Sequence, residues 1–95
     1  MIKDNTKPLF ELGQVVATPA AIAAMEQLRI VPRQLLDRHV SGDFGDIDDE
    51  DRKTNEDAID DDCRILSVYK FGNQAIWVIT EADRSSTCIL LPNEY

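Results

Sequence analysis

An α+β fold is predicted by three features of this chain. Helix signals are confined to its first two thirds, three strand-like runs crowd its last third, and its charge is segregated in between. With 95 residues and 43% hydrophobic side chains it has room for one domain and one core. The expected architecture is a helical N-terminal half packed on an antiparallel sheet, with the C-terminal three strands forming a meander.

Residues 1–8 read as a frayed polar end closed by Pro8. Leu9 to Ala17 has the composition of a short strand, and Gly13 marks a bulge or entry bend in it. Thr18-Pro19 then starts a helix, with Thr as N-cap and Pro at the first helical position, where a missing N–H costs nothing. Over Pro19–Leu28 the expected apolar stripe is Ile22, Met25 and Leu28, with Ala21 and Ala24 permitting close approach. Val31-Pro32 ends this helix, because the residue before proline is pushed out of the α region. A second helix, Pro32–His39, is expected to pack through Leu35 and Leu36 and to stop at Ser41-Gly42.

Asp43–Asp46 is turn-rich, with Phe44 as its apolar anchor. Asp48–Ile59 reads as an acidic helix whose first turn carries four acids, Asp48 to Asp51, at the positive end of the helix dipole. Its apolar footing is Ala58 and Ile59, so it is expected to be marginal or tethered at one end. Arg64–Phe71, Ala75–Thr80 and Ser86–Leu91 are the strands, the first two joined tightly through Gly72-Asn73. Ala75–Ile79 and Cys88–Leu91 are continuously apolar, which implies burial on both faces. The helices suffice for one face, so a homodimer through the β half is expected, with Ile76 and Ile89 as interface-facing positions.

The acidic segment carries the net charge. Asp43 to Asp62 holds eleven carboxylates against Arg52 and Lys53 in a chain of net charge −8, so the remainder is close to neutral. Concentrated negative charge repels nucleic acid and anionic membrane surfaces and attracts cations or basic proteins. An EF-hand reading of the segment fails, since Asp51 stands where the loop needs Gly and Asp57 where it needs Glu. No metal site and no cofactor is expected. No run approaches the roughly 18 apolar residues of a membrane span, and the N-terminus lacks an apolar signal core, so a cytoplasmic location is expected. Cys63 and Cys88 are read as reduced packing residues in strand-like runs.

Three places carry polar groups suited to chemistry. His39 is the only imidazole; as an acid or base it would use a neighbouring carboxylate such as Asp43, and otherwise it caps helix carbonyls. The loop Thr80–Thr87 projects Glu81, Asp83 and Arg84, where Arg84 either binds a phosphate or carboxylate or satisfies the turn itself. Asp48, Asp49, Glu50 and Asp51 are the expected contacts for a basic partner. Trp77 and Tyr69 read as core or interface aromatics, since too few basic residues accompany them for nucleic-acid stacking.

Arg38-His39-Val40-Ser41-Gly42-Asp43-Phe44-Gly45, then Glu50-Asp51 and Asn55, then Ile76 to Arg84 and Thr87 to Tyr95 form a pattern. It resembles small proteins carried on bacterial plasmids and integrated elements, which usually have Trp in place of Phe44. Some of these bear a type I restriction subunit label that a chain this short does not justify. The resemblance implies a mobile-element setting and a cytoplasmic location, and transfers no activity. The leading functional reading is a non-enzymatic interaction protein whose acidic segment binds a basic partner or mimics nucleic-acid charge. The alternatives are a small enzyme acting on nucleic acid or nucleotide through His39, Asp43 and Arg84, and a small nucleic-acid-binding dimer.

Overall fold

The computed structural model describes residues 8–95, so the polar end expected over residues 1–8 lies, except for Pro8, outside the described residues. The chain runs β1 (Gln14–Ala17), α1 (Pro19–Leu28), α2 (Pro32–Val40), α3 (Asp49–Asp61), β2 (Ile65–Phe71), β3 (Gln74–Thr80) and β4 (Ser86–Leu90), and closes with a 3-10 turn at Pro92–Glu94. The α+β reading holds, with helices in the N-terminal half and the meander β2–β3–β4 at the C-terminal end. The sheet is mixed, in the order β1-β4-β3-β2, because β1 joins β4 in parallel.

β1 is shorter than its composition suggests. Gly13 has a positive φ of 65° and a Cβ there would collide with the backbone of Ser85, so the chain turns at Gly13 and pairs only afterwards. At α1 the Thr18 hydroxyl accepts from the Ala21 N–H at 3.1 Å, as an N-cap does. The buried stripe of α1 is Ala21, Ala24 and Met25, and Ile22 is 43% exposed. The small residues let the helix lie close to the sheet, as expected, with Met25 buried and Leu28 packed against the core; Ile22 alone leaves the expected stripe and turns outward.

One sheet face meets the helices. Met25 of α1 and Leu35 of α2 pack there with Tyr69, Ile76, Val78 and Ile89. Ile76 and Ile89 are wholly buried under α1 and α2, so they are not the interface positions expected from the sequence. Alternation along the strands places Leu66, Val68, Trp77, Ile79, Cys88 and Leu90 on the other face. Tyr69, read as a core or interface aromatic, is buried on the helix face, whereas Trp77 lies on the opposite face. A second cluster of Phe10, Phe44, Ala58 and Ile65 fastens α3 and the turn before it to the first face.

α3 is anchored better than two apolar residues suggest. Asn55 donates from Nδ2 to the Leu66 carbonyl at 2.7 Å and accepts from the Leu66 N–H at 3.2 Å, reading the free edge of β2 as a strand would. The same edge is closed further along: Val68 N–H donates to Phe44 O, Asp46 N–H to Val68 O, and Lys70 N–H to the Asp46 carboxylate. Gly45 allows this approach, since a Cβ there would meet the Val68 carbonyl and the Tyr69 ring. An edge strand closed in this way offers little for uncontrolled pairing. Cys63, expected to pack in a strand, is exposed just before β2, and Cys88 is half-buried on the second sheet face.

Replacing Asn55 by Ala strips two hydrogen bonds from half-buried backbone and should cost about 2 kcal/mol in denaturant unfolding. Amide exchange should accelerate at Leu66 and along α3 before the rest of the sheet responds.

Candidate functional site

His39 has no solvent exposure. Its Nδ1 lies 2.6 Å from the Ser67 hydroxyl and its Nε2 lies 2.8 Å from that of Thr80. Thr80 Oγ1 is 2.8 Å from Thr87 Oγ1, which in turn lies 2.8 Å from the Leu12 carbonyl oxygen. Elementary donor counting, together with the burial of the ring, assigns every proton in this row. A carbonyl only accepts, so Thr87 donates to Leu12. Its one hydrogen is then used, so Thr80 donates to Thr87. Thr80 must accept from the ring, which puts a hydrogen on Nε2. Burial without a counter-charge keeps the ring neutral, so Nδ1 accepts from Ser67 in a single tautomer and the row runs one way from Ser67 to Leu12.

Its surroundings fit that state. Phe10 presents an edge at 5.0 Å between ring centroids and Phe44 another at 6.4 Å. Burial in this apolar cage pushes the imidazole pKa down to about 3. The expected capping of helix carbonyls by His39 is thus replaced by a structural network. Strand alternation carried the missed signal: Ser67, Thr80 and Thr87 occupy inward positions of otherwise apolar strands, and inward hydroxyls need a partner.

Asp43 is turned to Arg38. Arg38 Nε donates to Asp43 Oδ2 at 2.7 Å and Nη2 to Oδ1 at 3.3 Å, and this bonding holds the Asp43 carboxyl below its usual range. The Arg38 guanidinium also stacks 4.4 Å from the centroid of Tyr69, whose hydroxyl donates to the Asp43 carbonyl. Burial pushes the Tyr69 phenol up to about 12, so it stays a donor at physiological pH. His39 and Asp43, paired as imidazole and carboxylate in the sequence reading, therefore belong to different networks.

Arg84 stands at φ 60°, and its side chain is a carbonyl clamp. Nη1 donates to the carbonyls of Cys63, Glu81 and Ala82, and Nη2 donates to that of Ala58. Ala58 lies in the last turn of α3, where Asp60 and Asp61 set negative charge against the negative end of the helix dipole. The guanidinium offsets that conflict at its source. It also lies 5.7 Å from the Phe10 ring, so Arg84 and His39 touch the same phenyl group without sharing a polar cavity. An open hollow of about 430 Å³ beside Arg84 is lined by Asp62, Ala82 and Asp83. Glu81 pairs with Arg64 at 3.3 Å, and Asp83 accepts from the Ser85 N–H at 3.0 Å.

All eleven carboxylates of 43–62 are exposed. Asp48 caps α3 by accepting from the Asp51 N–H at 2.8 Å. Asp49 pairs with Arg52 and Asp57 with Lys53 at 3.8 and 3.5 Å. Helical spacing fans Asp49, Glu50, Glu56, Asp57, Asp60 and Asp61 across the side opposite Asn55 and Ala58. Among the described residues no group of three or more His, Cys, Asp or Glu side chains is placed to hold a metal ion. No helix among them is long and apolar enough to cross a membrane. Comparison with known proteins finds no matching family model, no matching curated protein and no matching solved structure, so the resemblance to plasmid-borne proteins rests on its residues alone.

Two outcomes test these assignments. The folded pKa of His39 lies below the ordinary value near 6.5, so between about 3 and 6.5 only the unfolded chain binds the proton. Stability should be unaffected by this group above pH 6.5 and should fall by up to about 1.4 kcal/mol per unit as pH drops through that window. In His39→Leu the slope between pH 4.5 and 6.5 should flatten, although the variant is less stable at neutral pH. For Arg84, replacement by Ala should cost about 2–3 kcal/mol and fray the end of α3 in amide exchange, because the strained φ remains while the clamp is gone.

Proposed function

We propose that this chain is a non-enzymatic interaction protein of a bacterial mobile element, acting in the cytoplasm, whose acidic helix α3 engages a basic partner surface. The observation that carries this reading is the division of labour among polar groups. His39, Asp43 and Arg84 are committed to internal contacts, and a neutral imidazole without solvent exposure is not available to a substrate. The carboxylates of α3 face solvent instead.

The charge density supports mimicry of nucleic acid. Seven acids lie along the 13 residues of α3, a length of about 20 Å at 1.5 Å per residue. That is about one carboxylate per 3 Å, close to the roughly 3.4 Å phosphate spacing along a DNA strand. A groove evolved for a phosphate backbone would meet a comparable field on this helix. The mobile-element setting is supported by the resemblance of residues 38–45, 76–84 and 87–95 to plasmid-borne proteins.

Neutralising Glu50, Glu56, Asp60 and Asp61 to Gln or Asn spares the Asp48 cap and the Asp49 and Asp57 ion pairs. Capture from bacterial lysate by the native chain should yield a basic protein whose retention weakens steeply with salt. The quadruple variant should lose it while keeping native circular dichroism. Retention of the same partner with unchanged salt dependence would overturn the reading and leave α3 as a solvated face.

A further inference from the structure

The sheet face turned away from α1 and α2 is apolar and partly exposed: Ile79 and Leu90 are buried, Leu66, Val68, Trp77 and Cys88 are half-buried, and Val16 is exposed. Cross-strand register builds two rows on it: Val16, Cys88, Ile79 and Leu66, then Leu90, Trp77 and Val68. Among the described residues Tyr95 covers part of it, its ring 5.5 Å from Trp77 and its hydroxyl accepting at 2.9 Å from Arg64, which also pairs with Glu81. At the β2 side the face deepens into a cleft of about 220 Å³, lined by Ile47, Leu66 and Val68, walled by Asp51, Thr54 and Asn55 of α3, and bordered by Arg64, whose charge is met by Glu81. The acidic helix is thus the bank of an apolar groove.

Size and charge select the occupant. Four strands spaced about 4.8 Å and two rows of side chains cover about 19 by 13 Å, or roughly 250 Å². A stable protein–protein interface takes about 800 Å² from each partner, so this face alone is small for a second copy of the chain. A second copy also brings its own net charge of −8 to the same groove. An α-helix about 10 Å across and three turns long matches the footprint. Resting on the reading that α3 meets a basic partner, we infer that the partner docks a basic amphipathic helix across this face. Its apolar stripe lies over Trp77, Leu66 and Val68, and its Lys or Arg flank faces Glu50 and Asp51.

Trp77 is the only tryptophan, and it sits in the middle of the face, so it reports occupancy directly. The probe is a synthetic peptide of about four helical turns with Leu at i, i+3, i+4 and i+7 and Lys on both flanks. A scrambled peptide of the same composition and a Glu-flanked version serve as controls. The Leu/Lys peptide should shift Trp77 emission to the blue with a Kd at or below about 100 µM. It should perturb the amides of Leu66, Val68, Ile79 and Cys88, and the controls should do neither. Val68→Lys, on a half-buried position whose long side chain can reach solvent, should weaken binding at least tenfold while circular dichroism stays native. Glu50→Gln with Asp51→Asn should weaken it at low salt and reduce its salt dependence. Loss of binding in the charge variant with none in Val68→Lys would overturn the docking face and leave the acidic-helix reading standing. Unchanged binding in the charge variant would overturn that reading too. A Trp77 signal from none of the peptides, equal binding of the scrambled peptide, or sedimentation as a dimer that shields Trp77 would each overturn the proposal.

Discussion

A carbonyl can only accept, and that of Leu12 sets the direction of the hydrogen-bond row on which the helix-to-sheet packing depends. From Leu12 the protons line up through Thr87, Thr80 and His39 to Ser67. The row crosses β4, β3 and β2 and reaches α2, so four elements and the segment before Gly13 share one polar seam. Its net contribution to stability is modest, because the unfolded chain offers the same groups to water. Its value lies in exclusion: a shifted strand or a rotated α2 would bury a hydroxyl or a ring nitrogen without a partner, at about 1–3 kcal/mol for each. Apolar packing of Leu35 and Met25 against the sheet does not impose register so sharply.

The legible parts of this fold are those governed by local chemistry. Thr18-Pro19, Val31-Pro32 and Gly72-Asn73 mark α1, α2 and the β2–β3 turn because capping, proline sterics and tight turns act within a few residues. The strand runs were readable from branched and aromatic content. The parallel pairing of β1 with β4 was not, since it depends on a partner some seventy residues away. The role of Asn55 was equally hidden: a polar residue on an acidic helix looks solvated until a strand edge comes within 2.7 Å of it.

Among the candidate site residues, type was legible and employment was not. His39, Asp43 and Arg84 attract notice because imidazole, carboxylate and guanidinium are the vocabulary of catalysis. The same groups satisfy buried backbone and orient turns, and sequence spacing does not separate the two uses. Arg84 shows why. Its four carbonyl acceptors come from residues 58, 63, 81 and 82, so its role exists only once α3 and the β3–β4 loop have met. The acidic segment was readable in the other sense, because eleven carboxylates in twenty residues cannot all find internal partners.

That surplus connects stability with function. Asp60, Asp61 and Asp62 crowd the end of α3 where the helix dipole already disfavours negative charge, and residues there chosen for stability alone would be Lys or Arg. The chain instead keeps the acids outside and supplies one cation, Arg84, from beneath. Asn55 and Ala58 hold the helix against β2 through a narrow inner stripe, which frees most of its circumference for carboxylates. The same placement brings α3 alongside the one apolar sheet face that the other helices leave open. An acidic rim beside an apolar groove discriminates in two ways. It repels anionic surfaces over the roughly 8 Å range of physiological screening, and it rewards only ligands that combine positive charge with an apolar stripe.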